Sequence, residues 1–434
     1  MNTTTASHPS RHITPPQNCT GCGLCANVCS KDAIRMVWSM EGFPVPEVDV
    51  NACINCGLCA KQCIALEEKP AYTDDIESVA AWGGWNKDES THLQSSSGGI
   101  FTAIAKQVLN AGGCVFGVVW QDKYTAAFSK AETIEELARM RGSKYTPAIP
   151  GKVYQEVLAE LKTGHQVLFS GTPCQVHALK KYLRKPYDNL LAIDIVCHGA
   201  PSHIILEKYV QEKEAGTGKT IDHISFREKP EGWIRFHVTC HYTDGSTSSA
   251  PMDKDIYMKL FLCDKALNYV CYNCPYAHIP RQGDITLGDY WGVQNLHPDW
   301  PIDKGISAIL SNSPKGTACL EQISNTLELH KEFSENILER QRVVYIRPQK
   351  QIPKERPSVL RNLPAWPLEK VYWKLANAII LGPFRLPRTS IAFKCINLIF
   401  RTARHIKRKL ITPIWQSTYT PPRQIGIAQV ALFA

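Results

Sequence analysis

The sequence predicts an α/β protein: a mainly parallel sheet with flanking helices, preceded by a small α+β domain and followed by a basic helical tail. Three observations predict it. Eight cysteines near the start fall into two runs of one pattern, Cys19-x2-Cys22-x2-Cys25-x3-Cys29 and Cys53-x2-Cys56-x2-Cys59-x3-Cys63. From about residue 100, short apolar runs alternate with helical patterns, which argues for strands joined by crossover helices. From Lys370 to the end, 11 Lys and Arg occur without a single Asp or Glu.

The cysteine spacing is that of a bacterial-type ferredoxin holding two 4Fe-4S clusters. Three cysteines of a tight loop ligate one cluster, and the fourth, one helical turn on, ligates the other. Cys19, Cys22, Cys25 and Cys63 are therefore assigned to one cluster, and Cys53, Cys56, Cys59 and Cys29 to its partner. Gly21, Gly23 and Gly57 let backbone amides turn toward the sulfurs. Zinc sites also use C-x2-C pairs, but they do not need three cysteines at this spacing plus a fourth, all duplicated. Bacterial ferredoxins usually place proline after the fourth cysteine, whereas Ser30 and Ile64 stand here.

In order, residues 1–17 are expected to be disordered, 18–67 to form the ferredoxin domain, 68–345 a larger catalytic domain, and 346–434 the tail. Met1 to Gln17 is polar, so no secretory leader is expected. Seventeen cysteines then point to metal or redox chemistry in the cytoplasm. Between the cysteine runs, Ala33 to Val37 and Pro46 to Asp49 read as short strands. Glu67 to Asn86, with Trp82-Gly83-Gly84-Trp85, reads as a polar connection. Ile100 to Asn110 is a helix, stopped by Gly112-Gly113, and Cys114 to Trp120 a buried strand. Helices follow at Thr133 to Arg141 and Lys152 to Lys162. Gln166 to Ser170 is a strand leading into a helix through Tyr182, and Leu190 to Val196 is the next strand. Residues 221–250 read as a short β excursion.

Strand-to-helix junctions carry the candidate chemistry, because ligands in parallel sheets gather at the strands' carboxyl ends. Ser95, Ser96, Ser97, Gly98 and Gly99 open a helix, where free amides and the helix dipole suit phosphate; a plain helix cap is the competing reading. Ser143, Lys144 and Tyr145 offer a hydroxyl, a cation and an aromatic to the same anion. Thr172 reads as an N-cap and Pro173 as the first helical residue, placing Cys174 in the first turn, where a thiolate is favoured. Cys197-His198-Gly199 ends the following strand, and Cys271-x2-Cys274 sits in a loop. Cys174, Cys197, Cys271 and Cys274 could hold a third 4Fe-4S cluster, or the first two could be buried apolar residues. Cys114, Cys240, Cys263, Cys319 and Cys395 read as core.

Together, Ser-Gly-Gly at a helix start, Gly142-Ser143-Lys144-Tyr145, Gly171-Thr172-Pro173-Cys174-Gln175, Cys197-His198-Gly199, Ser225-Phe226-Arg227 with Gly232-Trp233, Cys271-x2-Cys274 and Gly288-Asp289-Tyr290-Trp291-Gly292 resemble the beta subunit of coenzyme F420 (deazaflavin) hydrogenases and dehydrogenases. The resemblance covers about residues 70–345. It implies FAD and one further 4Fe-4S cluster in this domain. With those cofactors, the expected electron path joins the ferredoxin clusters to FAD through the cluster at Cys174, Cys197, Cys271 and Cys274. The implied flavin contacts are Ser95, Ser96, Ser97, Gly98, Gly99, Ser143, Lys144, Tyr145, Gly171, Thr172 and Gly199. His198, next to a cluster ligand at the sheet's rim, is the candidate proton donor, with a hydrogen bond to a cluster sulfur as the competing reading. Expected partners are a low-potential donor, ferredoxin or a reduced deazaflavin, and a small-molecule substrate; bacterial relatives occur with polysaccharide-synthesis enzymes. An adaptor subunit without its own substrate is the alternative.

The net charge of +9 belongs to the tail, which leaves 38 basic against 40 acidic residues in the rest. With no nucleic-acid-binding motif visible, nucleic acid is not an expected partner. From Arg388, Ala392, Ile396, Ile399, Ala403, Ile406 and Leu410 mark one apolar helix face, flanked by Lys394, Arg401, Arg404, Lys407 and Arg408. Such a cationic amphipathic helix suits peripheral contact with the inner face of the membrane. Docking on the protein's own body is the competing reading.

Overall fold

The structure, a computed structural model, describes residues 13–67, 76, 79–338 and 352–380. Residues 1–372 cluster as one compact unit and 373–434 as a second. The amphipathic pattern after Arg388 lies outside the described residues.

Tight loops and two short antiparallel strands make the N-terminal module. Strands β1 (Ile34–Trp38) and β2 (Pro44–Val48) pair with Ile34 opposite Val48 and Trp38 opposite Pro44. Each cysteine loop runs into a short helix, α1 (Leu24–Val28) or α2 (Leu58–Lys61). The module starts earlier than the expected residue 18: Ile13 and Thr14 are buried, and Ile13 packs against Cys25 and Cys59. Folded chain therefore replaces the disorder expected for residues 13–17.

The body is built on nine strands: β3 (Ala80–Asn86), β4 (Cys114–Trp120), β5 (Ala126–Ala131), β6 (Ala148–Ile149), β7 (Val167–Gly171), β8 (Leu190–Ile195), then β9 (Ile285–Asp289), β10 (Ser307–Ser311) and β11 (Leu327–Glu332). Their order is β11-β3-β10-β9-β8-β7-β4-β5-β6. Only β4, β7, β8 and β9 form a continuous parallel core. On one side β9, β10, β3 and β11 pair antiparallel, and on the other β5 runs against β4. The mainly parallel sheet expected from the sequence is thus corrected to a mixed one. The Trp82-to-Trp85 stretch, expected as a connection, is a strand of this sheet, paired on both sides by β11 and β10. Its glycines are packing devices, since a Cβ on Gly83 would strike Trp300 and one on Gly84 the Glu328 carbonyl.

Both faces of the parallel core are covered, which is why its strands read as continuous apolar runs. Alternation sorts their side chains. Cys114, Phe116, Val167 and Phe169 face helices α3 (Val153–Lys162) and α4 (Pro173–Leu183). Val115, Leu168 and Ile193 face the helix Ile100–Asn110 and the helix Pro314–Gln322. Phe116 and Phe169 are fully buried, a contribution of about 1.5–3 kcal/mol each.

Residues 221–251 form a separate three-stranded antiparallel sheet, as the β excursion anticipates. The expected boundary at residue 346 moves. Arg356, fully buried, donates through Nε to the Leu267 carbonyl and pairs with Glu41 at 3.0 Å, so the segment before residue 373 belongs to the body.

Candidate functional site

In the first cysteine loop Gly21 and Gly23 take φ of 71° and 75°, and Gly21 N–H donates to Cys19 Sγ at 3.4 Å. The second loop repeats this contact from Asn55 N–H to Cys53 Sγ at 3.4 Å, with Asn55 itself at φ 58°. A side chain on Gly23 would collide with Pro150 of the body. Cys19, Cys22, Cys25 and Cys63 line one cavity. Burial pushes the Cys19 thiol up to about 12, and those of Cys22 and Cys25 also rise. A thiol held neutral by an apolar cage gives up its proton when a metal takes the sulfur. Burial raises the Cys59 thiol, with Cys53 and Cys56 adding smaller pushes in the same direction; Cys56 is exposed. Cys29 packs with Cys59 in one apolar cluster. Among the described residues no group of three or more His, Cys, Asp or Glu converges on a point as one ion requires. A cubane takes one thiolate at each of four irons, so its ligands stand around a box instead.

The ferredoxin module docks on the body by the face carrying Cys22. Tyr154 Oη donates to the Cys22 carbonyl at 2.7 Å, Gln155 Nε2 to Asn27 O at 2.8 Å, and Asn268 Nδ2 to Cys19 O at 3.0 Å. Leu24 and Ile64 enter the core beneath α3 and α4, and Trp38 stacks on His203 at 4.1 Å.

Behind that face lie the other four cysteines. Cys174 occupies the second position of α4, after the box in which Thr172 N–H donates to Gln175 Oε1 at 2.9 Å. The charges bearing on its thiol are those of Cys197, Cys274 and Cys22. Cys271 joins them beside the Cys197 loop, where Ala200 N–H reaches its Sγ at 3.4 Å. Gly199 permits that approach at φ +133°, since a Cβ there would meet Leu267 at 2.8 Å. The expectation that the helix start favours the Cys174 thiolate is corrected. Burial dominates and pushes the thiol well up, and Thr172 Oγ1, 3.2 Å from Sγ, offsets only part. His198 Nε2 lies 2.5 Å from Asp264 Oδ1, with its ring over Phe261.

The hydroxyl and glycine run is stitched into the protein more tightly than its sequence suggests. Ser95 Oγ donates to the Thr91 carbonyl, Ser97 Oγ to that of Ile306, and Gly98 N–H to Ser307 Oγ. Ser96 Oγ accepts from Ser143 N–H at 2.9 Å, which unites two of the predicted stretches. Lys144 does not point to an anion site: its Nζ donates to the carbonyls of Arg139, Met140, Arg141 and Gly142 at 2.9–3.2 Å. Lys229 is held alike by the carbonyls of His92, Ser97 and Lys304. Burial pulls both ammonium groups down to about 7, while the carbonyl oxygens favour their charged forms.

Sequence reasoning missed the centre of this region. Arg227 makes a two-pronged pair with Asp289, 2.7 and 3.0 Å, and also donates to Tyr145 Oη at 3.0 Å and to the Ser96 carbonyl at 3.1 Å. Trp233 Nε1 donates to the same carboxylate at 3.2 Å, and its ring stacks on Trp291 at 4.8 Å. Burial opposes the Arg227 charge, but Asp289 outweighs it and holds the guanidinium protonated. The stretches around Ser96, Ser143, Tyr145, Arg227, Trp233, Asp289 and Trp291 thus meet at one node. Their recurrence as motifs was the available signal.

Comparison with known proteins decides the family. The N-terminal domain of the coenzyme F420 hydrogenase/dehydrogenase beta subunit matches residues 81–153, and its C-terminal domain residues 164–335. The two cover more than half of the chain. This chain belongs to the coenzyme F420 hydrogenase/dehydrogenase beta-subunit family. A 4Fe-4S dicluster domain matches residues 18–65, so this family member is an iron–sulfur electron-transfer subunit of oxidoreductase type. No curated protein matches the chain in sequence. Among solved structures, a chain of the xenon-derivatised F420-reducing [NiFe] hydrogenase complex from Methanosarcina barkeri is similar at 16% identity and a TM-score of 0.41, covering 69% of this chain and 90% of that one. Among the described residues no helix is long and apolar enough to cross a membrane.

Proposed function

We propose that the chain is an iron–sulfur flavoprotein that moves electrons between ferredoxin-type 4Fe-4S clusters and FAD, and onward to a hydride carrier or small organic substrate. The observation that carries this reading is the approach of Cys22 to Cys174 and Cys274, which pack against one shared core. When bound, clusters supply one-electron and a flavin one- or two-electron chemistry. The chain's own part is to position and polarise. Gly21, Asn55 and Ala200 direct N–H groups at thiol sulfurs, and Thr172 places a hydroxyl beside Cys174. Cys174, Cys197, Cys271 and Cys274 would hold the third cluster.

For FAD, the committed hydroxyls of Ser95, Ser96 and Ser97 leave the first-turn amides after Gly99 to meet a pyrophosphate. Ser143, Tyr145, Gly171, Thr172 and Gly199 line the approach in this reading, and Lys144 supports its loop. His198, held by Asp264, supplies the proton. A ferredoxin or a reduced deazaflavin is the donor, and a sugar derivative in polysaccharide biosynthesis the acceptor. Reconstitution with flavin should yield one FAD per chain by absorbance. If none is retained, the adaptor reading takes over. The internal bonding of Ser96, Ser97 and Gly98 favours that second reading.

For the tail we propose peripheral attachment to an anionic membrane surface. Each surface-facing cation contributes roughly 1 kcal/mol, so five or six suffice. The full-length chain should sediment with anionic vesicles at low salt and be released as salt rises. A truncation before Pro387 should stay in the supernatant with its cofactors; loss of cofactors would instead make the helix part of the body.

A further inference from the structure

Tyr154 stands where the two cysteine systems meet. It lies in the first turn of α3, is fully buried, and donates its hydroxyl to the Cys22 carbonyl at 2.7 Å. Its ring belongs to the core against which Cys22, Cys174 and Cys274 all pack. Its neighbours grip the same helix of the module: Asn27 Nδ2 donates to Gly151 O at 2.9 Å, and Lys152 Nζ to Ala26 O at 3.2 Å. The second cysteine loop faces the other way, with Cys56 exposed and open space around Gly57. We propose that Tyr154 is the positioning residue that couples the cluster of Cys19, Cys22, Cys25 and Cys63 to the site of Cys174, Cys197, Cys271 and Cys274. The first is then the inner ferredoxin cluster, and the cluster of Cys53, Cys56, Cys59 and Cys29 is the outer port.

This inference rests on the three-cluster reading above. One electron exchanged between the two inner sites oxidises one by the unit that reduces the other, and no atom or proton moves. The tyrosine O–H points its positive end toward the Cys22 backbone, inside a dry core where a dipole is weakly screened. Reduction adds negative charge to the inner cluster, so the hydroxyl favours the reduced form. Removing it without removing the ring should act on the inner cluster and spare the outer one.

The test uses the full-length protein purified anaerobically, with iron counted first and each cluster then titrated by potential under electron paramagnetic resonance. Tyr154→Phe should keep about twelve irons and make the inner cluster about tenfold harder to reduce, which for one electron is about 59 mV. It should also alter the magnetic interaction between the inner and third clusters, with the outer potential unmoved. Tyr182→Phe, whose ring lies 6.3 Å away in the same packing, should match the unaltered protein. Unchanged inner potential and interaction at twelve irons would overturn the proposal, as would loss of iron from Tyr154→Phe, which would make the hydroxyl merely structural. Eight irons in the unaltered protein would instead sink the three-cluster reading itself.

Discussion

Cys174→Ala and Cys271→Ala should each lower the iron content from about twelve atoms per chain to about eight, leaving the ferredoxin signals in place. A cubane deprived of one of four thiolates has an open iron inside a packed wall. Cys174 is surrounded there by Cys197, Cys274 and Cys22, with burial already holding its thiol neutral. Neutral thiols also bury readily as small apolar groups, so the iron count is what separates a ligand set from a packed core. Cys114→Ala and Cys240→Ala serve as controls. Cys114 is buried in the sheet, and Cys240 lies 3.8 Å from Tyr209 Oη on the separate small sheet, so both variants should keep all the iron. Iron and sulfide counts on anaerobic protein decide the matter. Full iron in both ligand variants would reduce the chain to two clusters.

The parts of this architecture legible in the sequence were those set by local chemistry. The Ile100–Asn110 helix and the Cys114–Trp120 strand have the expected bounds, because a glycine pair and a clean apolar run mark them. Thr172 and Pro173 announced the start of α4, and the structure places Thr172 at the N-cap and Pro173 first in the helix. What escaped depends on distant partners. Trp82 to Trp85 reads as a linker because two glycines weaken a strand locally, and nothing nearby reveals that Trp300 and Glu328 need the space. The antiparallel half of the sheet is equally invisible, since direction is set by topology and not by residue pattern. Burial around Cys174 reverses an expectation drawn from the helix dipole alone, because the core that Cys174 packs against is assembled from distant parts of the chain.

Arg227→Leu should be the most destabilising single change around the Arg227–Asp289 node, at about 3–5 kcal/mol. The guanidinium is 4% exposed and the Asp289 carboxylate 17%, so little water can replace what is lost. Its removal takes the two-pronged pair from that carboxylate, and takes donors from Tyr145 Oη and the Ser96 carbonyl. Arg227→Lys should recover only part, since an ammonium cannot make the two-pronged pair. Removing both charges tests the cause. An Arg227→Leu, Asp289→Leu double variant should lose less than Arg227→Leu alone, because no carboxylate is then left uncompensated. Denaturant midpoints of the three variants and the unaltered protein measure these effects, and an Arg227→Leu loss below about 1 kcal/mol would show the pair to be no stronger than a surface contact. The sulfur sites are anchored elsewhere, on the ends of β7 and β8 and on the module face. Folded Arg227→Leu should therefore retain its iron while losing the Ser96–Ser143 geometry. Weakened FAD uptake at full iron content would separate the flavin side from the cluster side, and parallel loss of both would mean that the node supports the whole fold.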